Sequence, residues 1–346
     1  MARRSAVLTA GLLVTAVLFA GAAALPLPVP LGRANETTSS RLSVYFHVDS
    51  CPQLETLVRS AVDAALKANV RLTAGLLRIF FHDCFPQGCD ASLLLDGGER
   101  SQPPNAGLQQ EALDLIDAIR AKVHASCGPV VSCADIVVLA TRDAVNLAGG
   151  PAFSVPLGRL DSKTPAIDND VLSLPPPTAT VDELLDAFSK KGLSDPADLV
   201  ALSGAHTVGK ARCSSFSDHT GTPADDIGRC LAATCSPGNE NRLRDIDFLT
   251  PEVFDNMYFI ALTLNKGVML TSDEGLAKDG RTSWLVKGFA DNHWWFFDQF
   301  AKSMVKMSQL TGPQGQAGEI RRDTCFRPNR ATAGRRAAGE GLAASA

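Results

Sequence analysis

The chain has 346 residues, of which 45% are hydrophobic, and its 33 basic and 37 acidic side chains give a formal net charge of −4. A chain of this length can bury a large core, either as one large domain or as two lobes. The acidic balance and the scattered basic residues argue against a general nucleic-acid-binding protein.

The first 24 residues have the layout of a secretory signal peptide. Arg3 and Arg4 precede an apolar stretch from Ala6 to about Phe19, and three small residues, 22–24, follow it. An uncleaved membrane anchor is the competing interpretation, but the small-residue exit and the sequence LPLPVP favour cleavage. We therefore expect residues 1–24 to be removed, leaving 31 basic and 37 acidic residues and a net charge of −6.

Two further features agree with export. Nine cysteines in a secreted chain predict four disulfides and one remaining thiol, although eight cysteines allow 105 pairings by sequence alone. The sequence Asn35-Glu-Thr predicts a glycosylation site in an exposed N-terminal segment.

Helical patterns dominate the rest of the chain. Apolar spacings of three and four predict helices over 54–68, 72–85, 131–147 and 294–310. Thr180-Val-Asp-Glu183 predicts a capping box for a helix that ends near Gly192, and Asp195-Pro196 and Thr250-Pro251 each predict a helix start. Sustained period-two alternation is missing from the sequence, so we expect a mainly α fold. The tail 327–346 has few bulky apolar residues and is expected to be flexible or removed.

The segment LLRIFFHDCFPQGCDASLLLD, residues 76–96, places polar chemistry within an apolar run. On a helix, Arg78 and His82 would share one face with Phe81 beside them. A core histidine and an arginine that reaches water are the alternative interpretation. The oxygens of Asp83, Pro86, Gly88, Asp90 and Ser92 could together bind calcium. The alternative is an ordinary polar loop closed by Cys84 and Cys89.

Seven segments in consistent order resemble the plant secretory (class III) haem peroxidases, and cereal grain peroxidases look most similar. The resemblance extends from about Leu42 to Cys325. The segments are Asp49-Ser-Cys-Pro52, Arg78-Ile-Phe-Phe-His-Asp-Cys84, Pro103-Pro-Asn105, Val130-Val-Ser-Cys-Ala-Asp135, Val155-Pro-Leu-Gly-Arg159, Asp198-Leu-Val-Ala-Leu-Ser-Gly-Ala-His-Thr-Val-Gly209 and Thr250-Pro-Glu-Val-Phe-Asp-Asn256.

This resemblance implies a two-lobed, mainly α haem peroxidase domain over residues 25–326, with haem b between a distal and a proximal helix. It implies a secreted enzyme of the apoplast or cell wall, with the vacuole as the alternative. The enzyme would reduce hydrogen peroxide and oxidise small phenolic or aromatic donors in one-electron steps. We expect a monomer without stable membrane association.

The resemblance also assigns roles to individual residues. His206 would ligate the iron and Asp273 would accept its imidazole N–H. His82 would move the peroxide proton as base and then acid, Asn105 would hold its tautomer, and Arg78 would stabilise developing charge. Phe81 would restrict access to the iron, and Pro175 would contact the donor.

Two calcium sites and four disulfides are implied in the same way. The distal site would use Asp83, Pro86, Gly88, Asp90 and Ser92, and the proximal site Thr207, Asp247, Thr250, Val253 and Asp255. The disulfides would be Cys51–Cys127, Cys84–Cys89, Cys133–Cys325 and Cys213–Cys235, which leaves Cys230 as the odd thiol.

The sequence departs from the family pattern at Phe80, at Leu160, in the short segment between Cys213 and Cys235, and at the bulky pair Trp294-Trp295.

Three other functions compete with the peroxidase: a poorly active haem-binding wall protein, a calcium-binding structural protein without haem, and a cysteine hydrolase that uses Cys84 and His82. The intact distal and proximal residues argue against the first two. Positions two apart on a helix face different ways, which argues against the third.

Overall fold

Helices form most of the part of the chain that this computed structural model describes, namely residues 42–216, 218, 229, 231, 233–235, 237–264, 270–311 and 318–330. All of these residues belong to one compact unit, residues 40–346. The α-helices with assigned bounds are α1 Leu54–Ala68, α2 Leu72–Gln87, α3 Gln110–Cys127, α4 Cys133–Leu147, α5 Asp168–Val171, α6 Val181–Lys190, α7 Pro196–Ser203, α8 Met257–Thr263, α9 Thr271–Lys278, α10 Ser283–Asp291 and α11 His293–Ser308.

Helices α1 to α4 pack on one another around α4. Thirteen of the fifteen residues of α4 are buried, because its apolar residues extend around the whole helix rather than along one stripe. The helix begins at Cys133 because the side chain of Ser132 accepts a hydrogen bond from Asp135 N as its N-cap. Helix α2 extends beyond the predicted end and contains Pro86 in its last turn.

A second group of helices packs around α10 and α11, which contact α8 and α7 respectively. The predicted capping box is present: Thr180 Oγ1 accepts from Glu183 N, and the Glu183 carboxylate accepts from Thr180 N. Asp195 caps α7 by accepting from Ala197 N at 2.9 Å. The predicted mainly α fold is confirmed.

The predicted helix start at Thr250-Pro251 is wrong. Residues 250–253 form a turn, and α8 begins only at Met257. The contacts around Thr250 are those of a turn: its hydroxyl is directed toward the carboxylates of Asp247 and Asp255, and Asp247 Oδ1 accepts from the backbone N–H groups of Leu249 and Thr250.

The named strands of the described residues form one small antiparallel sheet, β1 Lys210–Arg212 and β2 Leu243–Asp245, in which Lys210 is paired with Asp245. Strand β1 begins only three residues after the 3-10 turn Gly204–Thr207 that contains His206. The sheet therefore fixes the position of the chain that directly follows His206.

Four disulfides join the helices and loops in the pairs that the resemblance implies: Cys51–Cys127, Cys84–Cys89, Cys133–Cys325 and Cys213–Cys235. The bridge between Cys133 and Cys325 closes a loop of 192 residues and ties the C-terminal segment to α4. The predicted signal peptide, the predicted glycosylation site Asn35, Cys230 and the tail from residue 331 onward lie outside the described residues.

Candidate active site

Helix α2 presents Arg78 and His82, four residues apart, on the face directed toward the loop 103–107. Arg78 donates to the carbonyl oxygens of Pro104, Ala106 and Gly107 at 3.1–3.3 Å. Arg78 as a whole residue remains exposed. The loop that carries Asn105 is therefore tied to the helix that carries the two polar groups.

The tautomer of His82 follows from its partner. Asn105 Nδ2 donates to the Glu99 carbonyl at 2.8 Å, so Asn105 Oδ1 is free to accept, and it lies 2.7 Å from His82 Nδ1. The proton of a neutral His82 therefore stays on Nδ1, and Nε2 keeps its lone pair. Burial, together with the charge of Arg78, lowers the pKa of His82 to about 4 even though the hydrogen bond to Asn105 acts in the opposite direction. At neutral pH the side chain is a neutral base.

Phe81 forms one wall of this region. Its ring stacks on Phe85 with centroids 4.9 Å apart and meets the His82 ring edge-on at 5.9 Å. Phe80, one of the expected departures from the family pattern, is buried in the core on another face of α2.

The second titratable site is built on the turn that follows α7. His206 Nδ1 lies 2.9 and 3.2 Å from the two carboxylate oxygens of Asp273, which is buried on α9. A carboxylate accepts only, so Nδ1 carries the proton and Nε2 presents its lone pair. Burial by itself would lower the pKa of His206, but the charge and hydrogen bond of Asp273 outweigh it and raise this pKa. The His206 side chain is 36% exposed, which leaves it accessible to a ligand.

Tyr258 is a member of this site that the sequence analysis did not single out. Its hydroxyl donates to Asp273 Oδ1 at 2.8 Å, and its ring meets the His206 ring edge-on at 6.0 Å. The sequence feature that could have suggested Tyr258 is its position three residues after Asp255, just beyond the segment 250–256 that contributes expected calcium ligands. Tyr258 holds the carboxylate that holds the histidine.

The two sites approach each other where Gly209 meets α2. A Cβ on Gly209, whose φ is 103°, would lie 2.7 Å from the Ala74 Cβ, so only glycine fits here. Ala74 is one helical turn from Arg78, so the chain after His206 lies against the helix that carries the distal pair.

Arg212 is a second residue that the sequence analysis missed. Its guanidinium fills the space beside Gly107 and donates to Asn241 Oδ1 at 3.0 Å. Burial, and after it the charge of Arg212, lowers the pKa of Arg78. Its position six residues after His206 was the signal that could have suggested it. The guanidinium groups of Arg78 and Arg212 thus both lie beside Gly107, and their charges favour anionic groups there.

Oxygen ligands gather at both positions where calcium was expected. Asp83 is buried, and burial together with the charges of Asp90 and Glu99 raises its pKa, while the Ser92 hydroxyl is buried without a hydrogen-bond partner. A bound cation would relieve both conditions. The Pro86 carbonyl accepts a hydrogen bond from Lys191 Nζ, and Gly88 ends α2 with a φ of 106°.

The proximal set is similar in its chemistry. The hydroxyl oxygens of Thr207 and Thr250 each lie 3.1–3.3 Å from carboxylate oxygens of both Asp247 and Asp255, with one hydroxyl proton to share between them, and Val253 lies in the adjoining turn. Within the described part of the chain, no three His, Cys, Asp or Glu side chains group as metal ligands. Each calcium set thus depends on two carboxylates supplemented by hydroxyl and carbonyl oxygens.

The segment that contains the expected donor contact, Pro175, lies beside the start of α9, the helix that carries Asp273. Pro175 is half-buried, and the carbonyl of Pro177 accepts from Ser272 N at 3.0 Å, next to Asp273. The alternative of a cysteine hydrolase fails because Cys84 is bonded to Cys89 and has no thiol.

A mainly helical fold that carries one histidine held by an amide and another held by a buried carboxylate fits the class of haem-dependent oxidoreductases, in which a histidine can ligate the iron. The sequence model of the family described as Peroxidase matches residues 58–292. The chain is 48% identical over 290 residues to cationic peroxidase SPC4 of Sorghum bicolor, covering 80% of each chain. It is 42% identical to peroxidase 66 of Zea mays, covering 88% of this chain and 95% of the relative. Peroxidase 12 of Arabidopsis thaliana is 42% identical and covers 81% of each chain.

The chain belongs to the peroxidase family. The predicted resemblance to plant peroxidases is confirmed, and with it an enzyme that reduces hydrogen peroxide while it oxidises aromatic donors. Membership in this family implies a haem cofactor. Across the described residues, no helix is sufficiently long and apolar to span a bilayer.

Proposed function

We propose that His82 is the acid–base group of this peroxidase and that Arg78 stabilises the charge that develops on the peroxide. The observation that carries the proposal is the 2.7 Å contact between His82 Nδ1 and Asn105, whose own amide is fixed by Glu99. His82 Nε2 can then take a proton from hydrogen peroxide and return it to the departing oxygen. Arg78, held by three carbonyls, supplies positive charge without having to reorganise.

His206 would bind the haem iron through Nε2, and Asp273 and Tyr258 would fix its orientation. The cofactor in this proposal is haem b, which supplies the redox-active iron. The hydrogen bond to Asp273 makes the imidazole a stronger electron donor, which favours the oxidised iron. Arg212 and Arg78 would favour the anionic carboxylates of the haem.

Two calcium ions would complete the site, one at Asp83, Asp90 and Ser92 and the other at Thr207, Asp247 and Asp255. The distal ion is linked to catalysis through Glu99. The backbone carbonyl of Glu99 accepts from the Asn105 amide and so fixes it. Burial raises the pKa of the Glu99 side-chain carboxyl to about 7. Thr207 directly follows His206, so the second ion would hold the proximal turn.

We further propose a secreted monomer, produced by removal of residues 1–24, that acts on small phenols in the cell wall or vacuole. The N-terminal layout and the four disulfides support export. Pro175 is the proposed donor contact.

The decisive test uses purified protein loaded with haem and calcium. We expect its visible absorption band to lose intensity on addition of one equivalent of hydrogen peroxide and to recover when a small phenol is added. His82→Leu should slow the first change by about 100-fold or more, whereas Phe80→Leu, on another face of α2, should leave it near the wild-type rate. An equal rate in His82→Leu and wild type would rule out the proposed role of His82.

A further inference from the structure

All three tryptophans of the chain lie in one region, at positions 284, 294 and 295, where α10 meets α11. Trp284, Trp294 and Trp295 are 58%, 74% and 37% exposed. Tryptophans usually bury most of their ring, so three exposed indoles at one corner call for a physical account.

A continuous series of aromatic rings connects this corner to His206. Trp295 contacts Phe289 with centroids 5.1 Å apart, Phe289 contacts Phe259 at 5.3 Å, Phe259 contacts Tyr258 at 4.9 Å, and Tyr258 meets His206 at 6.0 Å. The three intermediate rings are at most 1% exposed. The path therefore passes through tightly packed protein without crossing water.

The outer end of the series has a defined seat. A Cβ on Gly288 would lie 2.0 Å from Trp295, so glycine at this position allows the indole to lie against α10. Trp284 lies beside it at 6.2 Å, and its Nε1 donates to the Arg281 carbonyl at 3.2 Å. Trp295 thus contacts both the buried series and the exposed ring of Trp284.

We propose that Trp295, with Trp284 beside it, is a second oxidation site, at which phenolic donors too large to reach the haem are oxidised. This inference rests on the proposed function, because His206 must be the haem ligand for the series to end at the oxidant. Indole is easier to oxidise than the phenylalanine rings, so those rings serve as the packed medium between Trp295 and Tyr258.

The electron balance uses only hydrogen peroxide and the donor. Hydrogen peroxide removes two electrons from the enzyme and, with two protons, becomes two water molecules. One electron leaves the Trp295 indole for the haem site, and the resulting indole radical cation takes an electron from a phenol, whose O–H proton goes to water. Two such transfers restore the enzyme and convert two phenols into two phenoxyl radicals.

The surroundings favour an uncharged aromatic donor. The charged side chains near the corner are paired with one another: Arg281 with Asp279 and Asp182, Lys287 with Asp291, and Lys302 with Asp298. The exposed indole faces therefore supply the attraction, by ring contact with the phenol. An indole exposed at the protein surface can be reached by a phenol that is carried on a large molecule.

The test compares haem-loaded, calcium-replete wild type with Trp295→Phe, Trp295→Tyr and the control Trp294→Phe, which leaves the Phe289 contact intact. Two donors are used, a small phenol and the same phenol coupled to a long dextran chain. We expect Trp295→Phe to lose at least tenfold in turnover of the dextran-linked phenol while its turnover of the free phenol stays within twofold. Trp295→Tyr, which retains an oxidisable ring, should recover part of the loss, and Trp294→Phe should match wild type.

Radical detection gives a readout that is independent of turnover. After addition of peroxide without donor, rapid-freeze electron paramagnetic resonance should show a tryptophan radical in wild type and not in Trp295→Phe, and a spin trap should label the peptide that contains Trp295. Two results would overturn the inference: equal turnover of the dextran-linked phenol by wild type and Trp295→Phe, or a trap label found only on other peptides. In either case, wild-type turnover of the free phenol would still support the proposed function. A haem-loaded wild type that does not turn over the free phenol would overturn both proposals.

Discussion

Asn105 joins His82 to the backbone at Glu99. Its Oδ1 lies 2.7 Å from His82 Nδ1, and its Nδ2 lies 2.8 Å from the Glu99 carbonyl oxygen. One amide thereby fixes the tautomer of a residue 23 positions earlier in the chain. Because the donor and acceptor ends of the amide are both in use, a substitution can remove one function and keep the other.

Asn105→Val removes the acceptor, so His82 loses the partner that keeps its proton on Nδ1. We expect the rate constant for reaction with hydrogen peroxide to fall by about 100-fold. Asn105→Asp keeps an acceptor and should retain far more activity, with a higher pKa for His82 because of the added negative charge. Stopped-flow measurements at equal haem content test both variants. Comparable rates in Asn105→Val and wild type would contradict the positioning role.

The lowered pKa of His82 predicts the acid limb of the pH profile. With a folded-state pKa of about 4, the imidazole remains neutral down to that pH. The peroxide rate constant should stay nearly constant from pH 7 to about 5 and then fall about tenfold per unit below pH 4. A profile that bends near pH 6.5 would show that burial and Arg78 do not lower this pKa.

The same shift has a consequence for stability. The unfolded chain binds a proton at His82 near pH 6.5, whereas the folded chain binds it only near pH 4. Between these values the unfolded state holds more protons, so the contribution of His82 to folding stability decreases as the pH falls through this window. The free energy of unfolding can be measured by urea denaturation of wild type and His82→Gln at pH 7 and pH 4.5. Its decrease between the two pH values should be smaller in the variant.

Asp273→Asn should raise the reduction potential of the haem iron, because a neutral amide cannot strengthen the His206 imidazole as a carboxylate does. A rise of about 60–120 mV corresponds to a ten- to hundredfold change in a one-electron equilibrium. The exposed Asp298, which pairs with Lys302, offers a matched control in Asp298→Asn. A spectroelectrochemical titration in which the two variants gave the same potential would argue against the proximal role of Asp273.

Removal of calcium should loosen the site. We expect a chelator to lower the midpoint of thermal unfolding by several degrees and added calcium to restore it. Without the cation, the repulsion between the buried carboxyl group of Asp83 and the half-buried carboxyl group of Asp90 is no longer offset. Asp90→Asn should require more calcium for the same midpoint. Asp96→Asn, at a carboxylate 60% exposed and paired with Arg100, is the control. A midpoint insensitive to both chelator and calcium would exclude the proposed ion sites.

The sequence alone determined the helical fold, most helix starts and the pairing of Arg78 with His82, because helical spacing and capping residues act over a few positions. It failed at Thr250-Pro251, where a local capping pattern was overridden by hydroxyl contacts to Asp247 and Asp255. The resemblance supplied the roles of His206 and Asp273, since no local pattern connects residues 67 positions apart.

Only the tertiary structure brought Tyr258 to Asp273, Arg212 to Gly107, and Trp295 to Phe289. Each of these contacts depends on packing between separate segments, which period and propensity do not encode. Two of them also need a close approach to a glycine, Arg212 at Gly107 and Trp295 at Gly288. The sequence showed Trp294 and Trp295 as unusually bulky side chains. The structure showed that a series of buried aromatic rings connects Trp295 to His206.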